Sequence, residues 1–384
     1  MKWLISSLAL LVCGLTTLPT LAADAELAKH LGQVKAVGPK GAGHREAGAA
    51  AKALAKAEAA DLPKILAAMD GANLLAENWI RGIAETVAQK QVATGGNLPV
   101  SALEGFLADT KHSPRGRRLA YELIASVDPS ASARLIPKLL NDPSLELRRD
   151  AVAMALEDAA KAPEGEAVAA YRKALAASRD LDQIKAAAAK LNELKAKPDV
   201  PLHMGFVMSW HVVGPFDNTG DKGWDIAYPP ETKLDLAAKY EGQKGEVRWF
   251  ETTTQDEFGI VDLATVLDKH KGAIAYVATE FVSEKAQEVD IRVGCINAHK
   301  VWLNGEELTA NHVYHAGMEV DQYLMKGKMK KGKNTILLKV CQNEQTEMWA
   351  QRWQFQLRVC DSIGTAILSQ DRPLKTASLE RLRR

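Results

Sequence analysis

Alternating apolar and polar side chains in residues 289–359 constrain the fold of this chain more than any other feature. The alternation is clearest in residues 289–295, 300–306 and 331–340, and an Asn-Gly pair at 304–305 is a strong two-residue hairpin signal. A period of two places every second side chain on the same face of a strand. The stretch therefore predicts antiparallel strands with one buried face.

Residues 203–368 resemble the galactose-binding-like family. The most specific pieces are the Val-Trp-Leu-Asn-Gly run at 301–305 and the Gly-Lys-Asn-Thr-Ile-Leu-Leu-Lys-Val run at 332–340. The resemblance implies a jelly-roll β-sandwich, in which two antiparallel sheets pack on each other, and a role in carbohydrate binding. It also implies that Trp302 packs inside the domain rather than contacting a ligand.

The composition of the chain changes sharply near residue 200. Alanine and leucine dominate before this point, whereas tryptophan, valine, isoleucine and threonine become common after it. Helix formers thus give way to strand formers, which predicts a multidomain chain with an α half followed by a β half. Pro198 and Pro201 disfavour helix, so residues 198–202 are predicted to be a linker.

An Arg-x-x-Ala pattern occurs three times in the helical half, ending at Ala84, Ala120 and Ala151. The alanines are about 36 and then about 31 residues apart, and small side chains let packed helices approach closely. Helix pairs at this period must stack to bury their apolar faces. The segment resembles HEAT-like repeats, which implies an α-solenoid over residues 47–197 with a surface for a protein partner.

The amino terminus has the features of a secretory signal over residues 1–23. Lys2 precedes a short apolar run, and Pro19 is followed by small residues suited to cleavage. We therefore expect a secreted or periplasmic bacterial protein. Lipidation at Cys13 is left open, because Val12 is large for the residue that precedes a lipidated cysteine.

The remaining terminal segments are predicted to lie outside the two domains. Residues 24–46 contain several glycines and are predicted to be flexible, and residues 369–384 form a basic, solvated tail. No segment after the signal is apolar and long enough to form a transmembrane anchor.

The charge balance and the cysteine content limit which partners and metal ions the chain is expected to bind. The chain has 49 basic and 48 acidic residues, so it carries no electrostatic footprint for nucleic acid. Cys295, Cys341 and Cys360 remain after the signal, allow at most one disulfide, and lack the Cys-x-x-Cys spacing of a metal site. No cofactor is predicted. A structural calcium ion is left open, although Asn297 and His299 stand near positions where related domains carry an acidic residue.

The sequence contains neither a Gly-x-Ser-x-Gly elbow nor a His-Glu-x-x-His helix, which favours a non-catalytic protein. Candidate ligand contacts lie in the polar loops of the β half. An exposed tryptophan ring stacks on the apolar face of a sugar, and neighbouring amide, carboxylate or guanidinium groups meet its hydroxyls. A tryptophan that only packs on its own loop is the competing interpretation. The candidates are Trp224, Asp225, Asn297, His299, His312, Tyr314, Asn343, Glu344, Trp349 and Arg352.

These features support one leading hypothesis and two alternatives. The leading hypothesis is an exported, non-catalytic binding or scaffold protein, whose β-sandwich binds carbohydrate or an extracellular polymer and whose repeats contact a protein. The first alternative is a purely structural component of an envelope or extracellular assembly. The second is a glycoside-active enzyme, with two carboxylates in a site between the halves.

Overall fold

The structure is a computed structural model that describes residues 18–372. Most of the predicted signal peptide, including Cys13, and most of the predicted basic tail lie outside the described residues. The chain divides into two compact units between Ala162 and Pro163. Within residues 18–372, no helix combines the length and apolar character that crossing a membrane requires.

The first unit is helical in its described part. Short 3-10 turns at Pro39–Gly41, Ala59–Asp61 and Ile136–Leu139 connect or extend its α-helices. The α-helices are α1 (Leu18–Lys35), α2 (His44–Leu54), α3 (Leu62–Ala67), α4 (Leu74–Ala93), α5 (Val100–Ala108), α6 (Pro114–Ala125), α7 (Ala131–Leu135) and α8 (Leu145–Lys161).

Residues 24–46, predicted to be flexible, instead contain most of α1, a 3-10 turn and the start of α2. Burial explains the difference, because Leu31, Val34 and Val37 join the core of the first unit. Gly38, Gly41 and Gly43 lie in the connection between α1 and α2. Gly43 has a left-handed backbone with φ of 72°, a conformation that suits a turn.

The alanines of the Arg-x-x-Ala pattern lie in α4, α6 and α8, and Ala84, Ala120 and Ala151 are all buried. Two of these helices begin with capping side chains: Asn73 accepts hydrogen bonds from the first turn of α4, and Ser144 accepts one from Leu147 N of α8. The pattern thus identifies three buried helix positions in the first unit.

The second unit begins with helices and continues with antiparallel strands. Its helices are α9 (Glu164–Ala177), α10 (Leu181–Glu193), α11 (Val200–Met204), α12 (Pro229–Thr232) and α13 (Leu263–Val266). Its strands are β1 (Ser209–Asp217), β2 (Lys239–Gly242), β3 (Gly245–Arg248), β4 (Phe250–Thr253), β5 (Val261–Asp262), β6 (Ala273–Ser283), β7 (Gln287–Cys295), β8 (His299–Leu303), β9 (Glu306–Asn311), β10 (Tyr323–Met329), β11 (Gly332–Gln342) and β12 (Gln354–Cys360).

The strands form three sheets. The largest has six strands in the order β4-β1-β6-β11-β8-β9, the second has four in the order β10-β7-β12-β5, and β2 pairs with β3 in a separate ribbon. Val277 and Leu338 of the six-stranded sheet share one core with Ile291 and Leu357 of the four-stranded sheet. The two large sheets therefore pack on each other, and the predicted order of an α half before an antiparallel β half is confirmed.

The outer face of the six-stranded sheet is covered by residues 218–250, which form a second apolar core against it. Trp302 lies in this core and is 6% exposed, so the expected packing role of its side chain is confirmed. Residues 218–250 are called the covering segment. The Lys339 side chain is fully buried and extends from β11 into this segment. It donates to the carbonyl oxygens of Trp224 and Ile226, at 3.1 Å and 2.8 Å, and to the Glu231 carboxylate at 2.9 Å.

The predicted linker at 198–202 is a structured part of the second unit. Pro201 lies in the first turn of α11, where a helix tolerates proline because the missing N–H has no intrahelical acceptor. The following His203 contacts α9–α10 through its Nε2, which donates to the Ser178 carbonyl at 3.1 Å. Arg179 likewise donates to the Thr365 hydroxyl near the end of the described chain, at 3.2 Å and 3.3 Å. Helices α9 and α10 therefore belong to the β unit, not to the helical unit.

Candidate functional site

Several loops meet at one end of the two sheets. Asp217 at the end of β1 and Gln342 at the end of β11 both pair with Ala273 at the start of β6. The loops that follow β1 and β11 therefore leave from the same edge. Hydrogen bonds join these loops to the one after β9. We call this surface the loop end: residues 218–228, 296–298, 312–322 and 343–353.

Five aromatic side chains form a continuous row across the loop end. Trp224 and His312 stack with ring centroids 4.3 Å apart and planes 4° from parallel. Tyr314 lies 5.9 Å from His312, and His315 lies 6.1 Å from Tyr314. His315 meets Trp349 edge-on, at 5.0 Å and 88°. We call these residues the aromatic row. It connects three loops that are far apart in sequence.

Asp221 fixes the middle of the row from the loop after β1. Its carboxylate accepts a hydrogen bond from the Tyr314 hydroxyl and another from His312 Nε2, each at 2.6 Å. Asn218 Nδ2 also donates to the Tyr314 oxygen at 3.1 Å. Burial, aided by the nearby Cys341 and the Asp221 carboxylate, raises the pKa of Tyr314. The phenol therefore stays protonated and holds its donor bond at all ordinary pH values.

The other end of the row is attached to the loop after β11. His315 Nε2 donates to the Asn343 side-chain oxygen at 3.1 Å. The Glu344 carboxylate accepts a hydrogen bond from Gly220 N at 2.9 Å, which ties this loop to the one after β1. These bonds hold an amide and a carboxylate of the loop that also carries Trp349. Such groups are the ones that hydrogen-bond a polar ligand.

Trp349 is exposed yet held in place. It lies in a 3-10 turn, Met348–Ala350, and 56% of its surface is accessible. The following Ala350 is buried, and its carbonyl accepts hydrogen bonds from Lys271 Nζ at 2.8 Å and from Gln342 Nε2 at 3.3 Å. A large apolar ring thus faces solvent from an anchored turn, as a stacking platform requires.

The structure separates the ten predicted site residues into three groups. His312, Tyr314, Asn343, Glu344 and Trp349 lie in or beside the row, and their proximity could not be deduced from spacing alone. The exposed Asp225 and Arg352 are on loops of the same end.

Trp224, Asn297 and His299 require correction as ligand contacts. Asn297 and His299 have no exposed surface, and they bond to Gln342 Oε1 and to the Asn297 carbonyl respectively. Burial lowers the pKa of His299, so its ring is neutral inside the protein. Trp224 is only 8% exposed, because His312 stacks on it and Lys300 Nζ lies 4.7 Å from its ring centre. It supports the row rather than offering a free face.

Two members of the site were absent from the sequence prediction, Asp221 and His315. Their backbones adopt positive φ values of 61° and 56°. Non-glycine residues seldom take this conformation, and it turns both side chains into the cluster. A Gly-Asp step at 220–221 is the available sequence signal, since aspartate tolerates left-handed geometry better than most residues.

Acidic side chains outnumber basic ones at the loop end. Within residues 18–372, no three His, Cys, Asp or Glu side chains converge as metal ligands. The acidic side chains of the loop end are Asp221, Asp225, Glu319, Asp321, Glu344 and Glu347, and the basic ones are Lys222 and Arg352.

Comparison with known proteins gives structural likenesses only. No protein-family model and no curated protein sequence matches the chain. A family 35 carbohydrate-binding module from Clostridium thermocellum is 15% identical over 23% of this chain and 78% of the module, with a TM-score of 0.17. A glucose complex of β-glucosidase from Kluyveromyces marxianus is 13% identical over 23% of this chain and 10% of the enzyme, with a TM-score of 0.18.

A second structure of the Kluyveromyces marxianus enzyme is 9% identical over 73% of this chain and 35% of the enzyme, with a TM-score of 0.26. The chain therefore spans much less than two thirds of either β-glucosidase chain. Scores this low do not define a shared overall fold.

Proposed function

We propose that this protein binds carbohydrate at the loop end, with Trp349 as the stacking platform. The observation that carries the proposal is the exposure of an anchored indole on a loop that also carries hydrogen-bonding side chains. Sugar rings have apolar C–H faces that stack on aromatic rings, and hydroxyls that need polar partners. Asn343 and Glu344 provide such partners on the loop that carries Trp349.

Preorganisation of the site supports the same proposal. His315 braces the edge of Trp349, and Asp221 holds Tyr314 and His312 in one arrangement. A ligand would therefore meet side chains whose rotamers are already restricted, which lowers the entropic cost of binding. The outer face of the six-stranded sheet is closed by residues 218–250, so the loops provide the accessible surface at this side of the unit.

The finer features predicted from the sequence belong to this proposal. We propose a jelly-roll, galactose-binding-like arrangement for the two sheets and a HEAT-like solenoid for the helical unit, which would contact a protein partner. We also propose that the protein is exported, is non-catalytic and binds its glycan without a cofactor. The two alternatives, a structural assembly protein and a glycoside-active enzyme, stay predictions. The geometry of residues 18–372 gives neither of them specific support.

The test is a glycan array and polysaccharide pull-down with the full mature chain, using Trp349→Ala and Met348→Ala. Trp349→Ala should weaken binding on the order of tenfold, the equivalent of about 1.4 kcal/mol of stacking. Met348 is the matched control, because it is 89% exposed on the same turn without an aromatic face. Treatment with a chelator should leave binding unchanged.

Two results would contradict the proposal. One is the absence of binding to any glycan by a chain whose circular dichroism shows that it is folded. The other is equal binding by the wild-type and Trp349→Ala chains, which would show that Trp349 is not part of the binding site.

A further inference from the structure

We infer that the ligand is an extended, neutral glycan that lies along the aromatic row, and not a single terminal sugar held at Trp349. This inference rests on the proposed function and deepens it. It follows from three features of the loop end: a second stacking face on a ring that is not a neighbour of Trp349, exposed apolar side chains close to that ring in sequence, and an excess of acidic over basic side chains.

The second stacking face belongs to His312. One face of its imidazole is covered by Trp224, with the two planes only 4° from parallel. The side chain is nevertheless 42% exposed, so its accessible surface lies on the opposite face and the edge. Its bond to Asp221 fixes the ring in this orientation. An anchored, outward-facing ring therefore marks the end of the row opposite Trp349.

The two faces belong to rings that are not neighbours in the row. Tyr314 and His315 lie between His312 and Trp349, with successive ring-centroid steps of 5.9 Å, 6.1 Å and 5.0 Å. One pyranose ring covers one aromatic face at van der Waals distance, so it cannot stack on both ends of such a row. A chain of linked sugars can contact both platforms at once, and each added contact raises the effective concentration of the next.

Exposed apolar side chains lie close in sequence to the His312 end of the row. Ile226, two residues after Trp224, is 47% exposed, and Val313, next to His312, is 50% exposed. Apolar side chains rimmed by polar groups mark a surface that a ligand or partner covers. A further sugar ring at the His312 end would cover such a surface.

The charge of the loop end selects against an acidic polymer. Six acidic side chains lie in the loop end, against only two basic ones, Lys222 and Arg352. Carboxylate or sulfate groups are recognised by arginine and lysine in excess, often through bidentate arginine bonds. The loop end lacks such an excess, so its hydrogen-bonding groups fit hydroxyls.

The experiment is titration calorimetry of the full mature chain with gluco-, xylo- and manno-oligosaccharides, from the monosaccharide to the hexasaccharide. Uronic-acid oligosaccharides of the same lengths serve as the acidic comparison. Affinity for the preferred neutral series should rise with length and then level off once the row is covered. The acidic series should bind more weakly.

Variants separate the two platforms. His312→Ala should reduce the affinity for the long neutral oligosaccharide several-fold while leaving the affinity for the shortest binding oligosaccharide unchanged. His312→Phe, which keeps a flat ring on Trp224, should retain most of the long-chain affinity and shows whether a loss reflects stacking rather than misfolding. Trp349→Ala should weaken short and long oligosaccharides alike.

The outcomes distinguish this inference from the proposed function. If the monosaccharide binds as tightly as the hexasaccharide, or if His312→Ala has no effect at any length, the extended ligand is excluded while sugar binding at Trp349 stands. Tighter binding of the uronic-acid series would exclude a neutral ligand. If no oligosaccharide binds the folded chain, the inference and the proposed function both fail.

Discussion

Lys339 shows how a buried charge fixes the segment that carries part of the site. Its ammonium has no exposed surface, and a charge in that position is tolerated only when it is paired and hydrogen-bonded. Glu231 and two backbone carbonyls of the covering segment satisfy it, while the Tyr276 hydroxyl also donates to Glu231. Because one of those carbonyls belongs to Trp224, Lys339 helps to place the residue on which His312 stacks.

Replacing Lys339 by methionine should therefore destabilise the second unit by about 3–5 kcal/mol, because Glu231 is left buried without its counter-charge. The double variant Lys339→Met with Glu231→Gln should recover part of the loss, since no charge then remains unpaired. A single variant as stable as wild type would show that the ion pair does not hold the covering segment.

The cysteines offer a direct measurement of this stability. Cys295, Cys341 and Cys360 are buried, and all three belong to the second unit. Burial raises the pKa of Cys295 to about 12 and that of Cys360 to about 11, so the reactive thiolate is scarce until the unit opens. Thiol labelling in denaturant, in a Cys13→Ser background, would therefore report unfolding of the second unit alone.

His203 makes the stability of the second unit depend on pH. Burial, aided by the nearby Arg179 charge, lowers its pKa from 6.5 to about 4. As pH falls from about 6.5 to about 4, the unfolded chain binds a proton that the folded chain does not, so folding becomes less favourable. His203→Gln should reduce the loss of stability between pH 7 and pH 5 by about 1–2 kcal/mol, allowing for partial exposure of the ring.

The control is Leu202→Gln, at the neighbouring residue, which is 41% exposed; it introduces the same glutamine without removing an imidazole and should keep the pH dependence of the wild type. Thiol labelling at the two pH values provides the measurement. An equal pH dependence in His203→Gln and wild type would mean that His203 is not the group responsible.

At the level of secondary-structure elements, alternation predicted the strands well because burial imposes a period of two. The predicted segment at 289–295 lies within β7, and all but the first residue of the predicted segment at 331–340 lies within β11. Alternation could not show that both faces of β11 are buried, because the cover of the outer face comes from residues 218–250, which are far away in sequence and irregular in pattern.

The candidate site was predicted less well for a related reason. The position of Trp349 in a polar loop predicts an exposed side chain, and Trp349 is 56% exposed, while its contact with a ligand stays a prediction. His299 shares parity with the buried Val301 and Leu303 and starts β8, so its assignment to a polar loop is wrong. The aromatic row depends on the backbone turns at Asp221 and His315, which sequence spacing does not determine.

Gly223 limits how the loop after β1 can pack. A Cβ atom at this position would lie 2.6 Å from Cδ1 of Ile274 and closer still to the Asp217 carbonyl oxygen. Gly223→Ala should therefore displace the segment that carries Trp224, destabilise the second unit by about 3 kcal/mol and weaken binding of the oligosaccharide that wild type prefers.

Gly220→Ala is the control from the same loop. Its Cβ meets only the flexible Lys222 side chain at 3.9 Å, so the left-handed backbone, with φ of 63°, is the main obstacle. A cost of about 1 kcal/mol is expected, with little change in binding. Calorimetry and thiol labelling of both variants provide the comparison, and equal effects would argue against close packing at Gly223.

At the scale of the whole molecule, the composition of the sequence and the packing of the structure indicate different positions for the domain boundary. The change from helix formers to strand formers predicted a boundary at 198–202, but the units divide between Ala162 and Pro163. Composition reports the type of secondary structure, whereas the boundary depends on which surfaces are buried together. Lys185 of α10 lies 5.1 Å from the centre of the Phe258 ring, and Arg179 bonds to Thr365, both within the β unit. Helices α9 and α10 complete that unit.

The boundary between Ala162 and Pro163 predicts that two fragments of the second unit differ in stability. A fragment of residues 163–372 should fold cooperatively with its cysteines protected. A fragment of residues 198–372 loses the Ser178 acceptor of His203 and the Arg179 donor to Thr365, and it exposes apolar surface that α9 and α10 cover. It should therefore bind a hydrophobic dye and label rapidly with thiol reagents in the absence of denaturant. Equal protection of both fragments would mean that the helix pair is dispensable and that the composition change does mark the boundary.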